Sequence, residues 1–457
     1  MIGDRMTTIS VEQLEEQLSS FAACERRAAL EELSCRASCG QIALPPAREE
    51  VNLHYHTFFS FNANGWSPSR IAWEARKYGL AVAGIVDFDV LDGIEEFLEA
   101  GELIGLRSVA AMESRVFLSE YAQHVINSPN EPGITYFMAA GCFRKPDGST
   151  RPSLILESMR EMARRRNVQV MERVNDYLDV VRLDYQTDVI PLTPSGNATE
   201  RHLLAAYDAK ARQRFGSIPE LSRFWADKIE ISSEAAAELL ADTPRFHEMI
   251  RSKLMKFGGV GYVAPSPDTF PPIELMTEMA VGIGALPTAT WLDGTSSGEA
   301  DTAAMFATLA AKGVVAVNLI PDRNWNIKDP DQKRVKLDKL REAVSAARQI
   351  DFPLCVGTEM NKAGLPFVDN FAAPELQPYI ADFVEGAHFF WGHTALARAA
   401  GLGFQSEWAK AHFADRAAAN AFYARVGRLA DPRIPPSKLA GLDDSVSPEE
   451  VLRRLAG

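Results

Sequence analysis

Asn52-Leu53-His54-Tyr55-His56-Thr57, followed downstream by Ala81-Val82-Ala83-Gly84-Ile85-Val86 and the polar end Asp87-Phe88-Asp89, is the stretch on which the fold turns. Read as a strand, the first segment puts side chains at i and i+2 on one face, so His54 and His56 point together while Leu53 and Tyr55 point the other way. That pairing suits a two-pronged metal ligand, although two hydrogen-bonded histidines on a wet strand face would show the same pattern. Acidic residues then recur where apolar runs stop. Asp87 and Asp89 end the second segment, Glu113 follows Arg107-Ser108-Val109-Ala110-Ala111-Met112, and Glu359 follows Leu354-Cys355-Val356-Gly357-Thr358.

Working outward, a unit of helix, break and apolar strand repeats from residue 50. Residues 71–78 read as helix, Gly79 breaks it and 81–86 form the strand; 94–104, Gly105 and 107–112 repeat the pattern. Later, 273–280 leads to 286–290, 302–311 with Gly313 to 314–320, and 337–350 to 354–358. Alternation with buried strands indicates a parallel sheet, and its length and repetition favour an α/β barrel over an open sheet. In such barrels the chemistry collects at the carboxyl ends of the strands, where the His pair and the acids fall. Residues 1–48 read as a helical extension opened by a Ser10/Gln13 capping box and ended by Pro45-Pro46. The barrel is expected over 49–400, with the alternation lapsing between about 150 and 265, where helical patterns suggest an insertion that caps the mouth. Residues 401–457 read as a helical C-terminal segment.

Composition narrows the function classes. A chain of 457 residues with 46% hydrophobic content can bury a large core, and a net charge of −13 argues against a protein whose main work is gripping nucleic acid. No apolar run approaches the roughly 20 residues that span a bilayer, and the acidic start is unlike a signal sequence, so a cytoplasmic location without membrane partners is expected. The five cysteines are scattered; Cys35 and Cys39 have helical spacing but no histidine near them, a poor zinc site and a pattern that fits a reducing compartment.

These residues resemble, in order over most of 50–365, the polymerase and histidinol phosphatase (PHP) family. The opening His-x-His-Thr is here His54 to Thr57 with Ser60 beyond; Thr-Asp-His-Asp is here Val86-Asp87-Phe88-Asp89; a Glu-Ile-Ser-like element is here Glu113-Ser114; and Gly-Ser-Asp-x-His is here Gly357-Thr358-Glu359-Met360-Asn361. The resemblance implies a distorted (β/α)7 barrel with a metal cluster at the carboxyl ends of its strands, and phosphoester hydrolysis assisted by two or three divalent ions. Departures accompany the match. Phe88, Asn361, Met138 and the Thr290-Trp291 pair stand where the family supplies histidines or His-Pro, and Phe61-Asn62 where an Asp often follows the serine. The surviving set implied by the family gathers around one ion: His54, His56, Glu113 and Glu359 are the expected ligands, with Asn361 as a further ligand or a hydrogen-bonding neighbour.

Two imidazoles and two carboxylates suit Zn, Mn or Fe, and a second ion is left open. Asp87 and Asp89 are the candidate bases, Asp89 being equally suited to cap the helix that follows it. Arg323, Arg115 and Lys362 are placed to grip a phosphoryl group at the mouth, and among the remaining histidines His388 and His393 rank as substrate contacts. The expected activity is hydrolysis of a small phosphorylated metabolite. A single-metal enzyme acting on a sugar acid or other carbonyl compound is the alternative, and a non-catalytic ligand-binding barrel the third reading. The sequence leaves the oligomeric state open.

Overall fold

A computed structural model describes residues 9–433, 439 and 441–456. The start of the N-terminal extension (1–8) and residues 434–438, 440 and 457 of the C-terminal segment lie outside the described residues. Seven strands form one sheet in sequence order: β1 (Val51–Tyr55), β2 (Val82–Phe88), β3 (Arg107–Phe117), β4 (Ile134–Ala140), β5 (Leu286–Trp291), β6 (Ala316–Leu319) and β7 (Leu354–Val356). The sheet comes round on itself just beyond β7. A parallel bridge joins Tyr55 to Glu359, whose N–H donates to the His54 carbonyl at 2.7 Å while the His56 N–H donates to the Glu359 carbonyl at 2.8 Å. Gly357 permits this approach, because a Cβ there would collide with Asn52 and with the backbone and Cβ of His54. The result is a nearly closed seven-stranded barrel.

One strand departs from the expected parallel pattern: β4 is antiparallel to both β3 and β5. The link from β3 to β4 holds only the short turn Ser119–Tyr121 and no crossover helix, so the chain doubles back instead of returning to the same end. Register and alternation then fix which side chains face inward. Glu113 pairs with Phe88 on one side and Met138 on the other, Arg115 pairs with Tyr136, and Thr290 pairs with Asn318. His54 and His56 share that inner face; Asp87, one residue out of phase with Phe88, does not.

Helices wrap the outside. Pro68–Tyr78 starts on a Ser67 cap and stops at Gly79, which takes the left-handed conformation (φ 87°). The Ser10/Gln13 capping box forms and opens Val11–Gln17, which a short break separates from Ala23–Ser38. The region between β4 and β5 has a core of its own, built on Val174, Leu203, Tyr207, Trp225, Phe246 and Ile250. The long helix Arg151–Leu178 belongs to both cores: Ile155, Leu156 and Met159 pack with the barrel, and Val170, Met171, Val174 and Leu178 with the insertion. Among the described residues no helix is long and apolar enough to cross a membrane, and all five cysteines are free thiols.

Candidate metal centre

His54 and His56 enter the barrel from the end of β1 and the residue after it, fully buried, with ring centroids 5.3 Å apart. Glu113 meets them from β3: its Oε2 lies 3.8 Å from His54 Nε2 and 3.7 Å from His56 Nε2. These separations are too long for hydrogen bonds. They are close to the spacing of about 3.3 Å expected of neighbouring donor atoms around a tetrahedral ion with bonds of about 2.0–2.1 Å.

The far side of each ring determines its tautomer. Ser60 Oγ donates to Asp87 Oδ1 at 2.6 Å, so it receives the His56 Nδ1 hydrogen at 3.2 Å; His54 Nδ1 donates in the same way to Asn318 Oδ1 at 3.1 Å. Both Nε2 atoms are left with bare lone pairs aimed at the Glu113 carboxylate, and neither has a hydrogen-bond partner. Leaving a buried polar atom unpaired costs about 1–3 kcal/mol, so two of them on one carboxylate describe a site built for a ligand. Burial holds His54 below, and His56 well below, the usual imidazole range, keeping both neutral as ligation requires. Burial, reinforced by the negative charge of Glu359, pushes Glu113 well above the usual carboxylate range. Its carboxyl group accepts no hydrogen bond among the described residues, so in the charged form that a bound cation would favour it is free to act as a ligand. The donor set therefore fits a divalent ion. Among the described residues no second group of three His, Cys, Asp or Glu side chains converges in this way.

The remaining expected residues fall into several environments. Glu359 reaches the rim beside the cluster, but its Oε2 accepts from Arg323 Nη2 at 2.6 Å. It and Met360 hold left-handed backbone (φ 67° and 51°), which costs non-glycine residues about 1–3 kcal/mol each and persists only where surrounding bonds enforce it. Asp87 lies on the outer side of β2 and is committed to the turn after β1, accepting from the Thr57 N–H (2.8 Å), Thr57 Oγ1 (2.7 Å) and Ser60 Oγ. Burial raises it to about 6. The expectation of a free base there is corrected: Asp87 anchors the turn and the Ser60 relay behind His56. Asp89 sits in left-handed backbone (φ 60°) and accepts from Ser114 Oγ at 2.6 Å. It caps no helix, since the next one starts at Ile94 with Gly93 as its cap.

Arg115 faces the mouth but is engaged, with Glu131 at 2.9 Å, Glu200 at 3.9 Å and the Phe270 ring beneath it at 4.6 Å. Lys362 is exposed; Asn361 is partly exposed and makes no hydrogen bond among the described residues. The two late histidines are a correction. His393 lies behind the amino ends of the parallel strands, donating from Nε2 to the Gly141 carbonyl (3.2 Å) and accepting from the Phe404 N–H (2.9 Å), while His388 lies near Arg107, the first residue of β3. Both belong to the helix Ile380–Ala400 at the end of the barrel away from Glu113.

Further residues complete the site, Asn318 and Tyr136 not singled out by the sequence reading and Phe88 and Thr290 named there only as departures from the family's motifs. Asn318 orients His54 and keeps an unpaired Nδ2, and its neighbour Thr290 keeps an unpaired Oγ1, both buried. Phe88 stacks on the His56 ring at 4.5 Å, and Tyr136 stands 6.2 Å from Phe88. A polar residue inside the apolar run 314–320 was the available signal for Asn318. From the insertion, Asn197 Nδ2 donates to the carbonyls of Phe59 (3.0 Å) and Phe88 (2.9 Å), and Ser195 Oγ to Asp92 (2.9 Å), drawing the helical cap over the β1–β2 side of the mouth.

No protein-family model and no curated protein matches the chain. Two solved structures are similar in shape. One is an amidohydrolase from Chromobacterium violaceum, solved with bound sulfate and without metal, at 14% identity and a TM-score of 0.48 over 73% of this chain and 96% of that one. The other, described as a metal-dependent phosphoesterase from Bifidobacterium adolescentis, has 17% identity and a TM-score of 0.45 over 74% of this chain and 98% of that one.

Proposed function

We propose that this chain is a metal-dependent hydrolase of PHP type, holding one divalent ion (Zn, Mn or Fe) on His54, His56 and Glu113 and acting on a small phosphorylated metabolite. The observation that carries the reading is the convergence of two bare imidazole lone pairs on a carboxylate without hydrogen bonds, all buried. A bound divalent ion supplies Lewis acidity, acidifying water and polarising a phosphoryl or carbonyl oxygen. The chain supplies the rest. Asn318 and Ser60 hold the two imidazoles in the tautomer that offers Nε2. Arg323, half exposed at the rim, bonds Glu359 through Nη2, and its remaining N–H groups are the ones we assign to an anionic group of the substrate. Asp89 is the proton acceptor we assign: Oδ1 is held by Ser114, while Oδ2 accepts no hydrogen bond among the described residues. The insertion's contacts to the Phe59 and Phe88 carbonyls hold it against the β1–β2 side of the mouth, which supports a small substrate.

A second reading, a single-metal enzyme acting on a sugar acid or other carbonyl compound, is supported by Phe88 and Met138. These apolar side chains lie on the inner face on either side of Glu113, where further ligands for a cluster of ions would have to stand. Elemental mass spectrometry of the purified protein and of His54→Ala, combined with turnover assays on phosphoesters and sugar acids, tests both. About one equivalent of metal, lost in the variant together with phosphate release, is the expected outcome. Turnover of sugar acids alone would favour the second reading. No stoichiometric metal and no turnover with any metal added would point to a ligand-binding barrel, and activity untouched by His54→Ala would reject the site.

A further inference from the structure

We propose that Arg323 is a positioning residue that holds Glu359 off the His54–His56–Glu113 cluster, so that an ion bound there keeps an open coordination position. The inference rests on the metal-site reading above and adds the device that keeps such a site open. Glu359 is the natural fourth ligand by location. Its backbone is bonded to both His54 and His56, and its charge is felt at both His54 and Glu113. Yet its oxygens are not among the donor atoms that converge. The carboxylate turns instead to Arg323, at 2.6 Å.

The pairing is built from both sides. Arg323 belongs to the short helix Asp322–Trp325 that follows β6, and buried Asp369 ties down both ends of that helix by accepting from the Asp322 N–H (3.0 Å) and from Trp325 Nε1 (2.6 Å). On the other side the left-handed backbone of Glu359 is pinned to β1, so its side chain, and not its backbone, decides where the carboxylate goes. A carboxylate can answer a guanidinium or an ion. Three protein ligands with a free position make a reactive site, and four protein ligands a closed, structural one. The Arg323–Glu359 pair sets the choice toward three.

The test uses zinc(II) affinity, measured by competition with a chelator, and the visible spectrum of the cobalt(II) protein with and without exogenous imidazole, a neutral probe that needs an open position. Arg323→Met is expected to bind zinc at least tenfold more tightly, and its cobalt spectrum to lose the response to imidazole that the unaltered protein shows. Arg323→Lys, which keeps the cation, is expected to retain the original affinity. Glu359→Gln alone is expected to change affinity less than threefold and, combined with Arg323→Met, to restore the original value. Unchanged or weaker binding in Arg323→Met, or a tenfold loss in Glu359→Gln alone, overturns the proposal. If the unaltered protein binds neither metal stoichiometrically, the metal-site reading falls and this inference with it; if it binds one equivalent and Arg323→Met gains nothing, only this inference falls.

Discussion

Two sets of buried groups around the barrel mouth, the His54–His56–Glu113 cluster and the carboxylates of the loops beyond β5 to β7, are treated in opposite ways. At the ends of β1 to β3, the Nε2 atoms of His54 and His56 lack partners and the Glu113 carboxylate accepts no hydrogen bond among the described residues. Beyond β5 to β7, the buried carboxylates are saturated. Glu299 accepts from the N–H groups of Leu292 (2.8 Å), Asp293 (3.1 Å) and Gly294 (2.9 Å), and Asp369 from Trp325 Nε1, the Asp322 N–H and the Asn370 N–H (3.2 Å). Equal burial therefore does not mean equal purpose. A carboxylate ringed by donors is part of a loop's architecture, and one facing bare lone pairs awaits a ligand.

The contrast breaks most sharply under substitution. In metal-free protein, Asp369→Ala is expected to cost about 2–4 kcal/mol of stability by denaturant titration, because it strands a buried indole N–H and backbone donors. Glu113→Gln in the same preparation is expected to cost little or nothing, since burial already favours the uncharged carboxyl group that the amide mimics. Equal losses in the two variants would end the distinction. A smaller effect separates the groups behind the imidazoles. Asn318→Ala and Ser60→Ala are each expected to lower metal affinity by about 10–100-fold, read by chelator competition, with the fold intact by circular dichroism.

The smallest expected effect lies in pH. Burial raises Glu299 from 4.5 to about 7 despite its three donors. The folded state thus keeps a proton that the unfolded chain releases, and this contribution to stability is complete below pH 4.5 and is lost as pH rises through 7. Between pH 6 and pH 8 the loss amounts to about 1 kcal/mol. Glu299→Gln should flatten that part of the stability profile, and an unaltered slope in the variant would assign it to other groups.

How much of this was legible in the sequence follows from what sequence periodicity encodes. The two-residue period of a strand put His54 and His56 on one face; apolar runs ending in acids marked Glu113 together with Asp87, Asp89 and Glu359, and only the family resemblance implied Glu113 as their companion ligand. The same period, applied strictly, would have turned Asp87 away once Phe88 was recognised as the inward residue; its acidic character drew attention that its phase did not support. The direction of β4 was hidden because it depends on the missing crossover helix between β3 and β4, not on anything within 134–140. His388 and His393 stand five apart on a helix, a spacing that separates their directions by about 140° at 3.6 residues per turn and so suits no common pocket. The Arg323–Glu359 pair joins the short helix after β6 to the turn after β7, and no local pattern announces such a meeting.

The helix Arg151–Leu178 carries a consequence for the chain's modularity. Because its first half is a stave of the barrel's outer wall and its second half a beam of the cap, the cap is not a removable part. A deletion that trims the insertion at its compositional border cuts through continuous helix and exposes Val170, Val174 and Leu178, while a deletion that removes the whole helix strips Ile155 and Met159 from the barrel. Any grafting of this cap onto another barrel must bring the host's half of the helix with it, so the unit of exchange is the strut and not the domain.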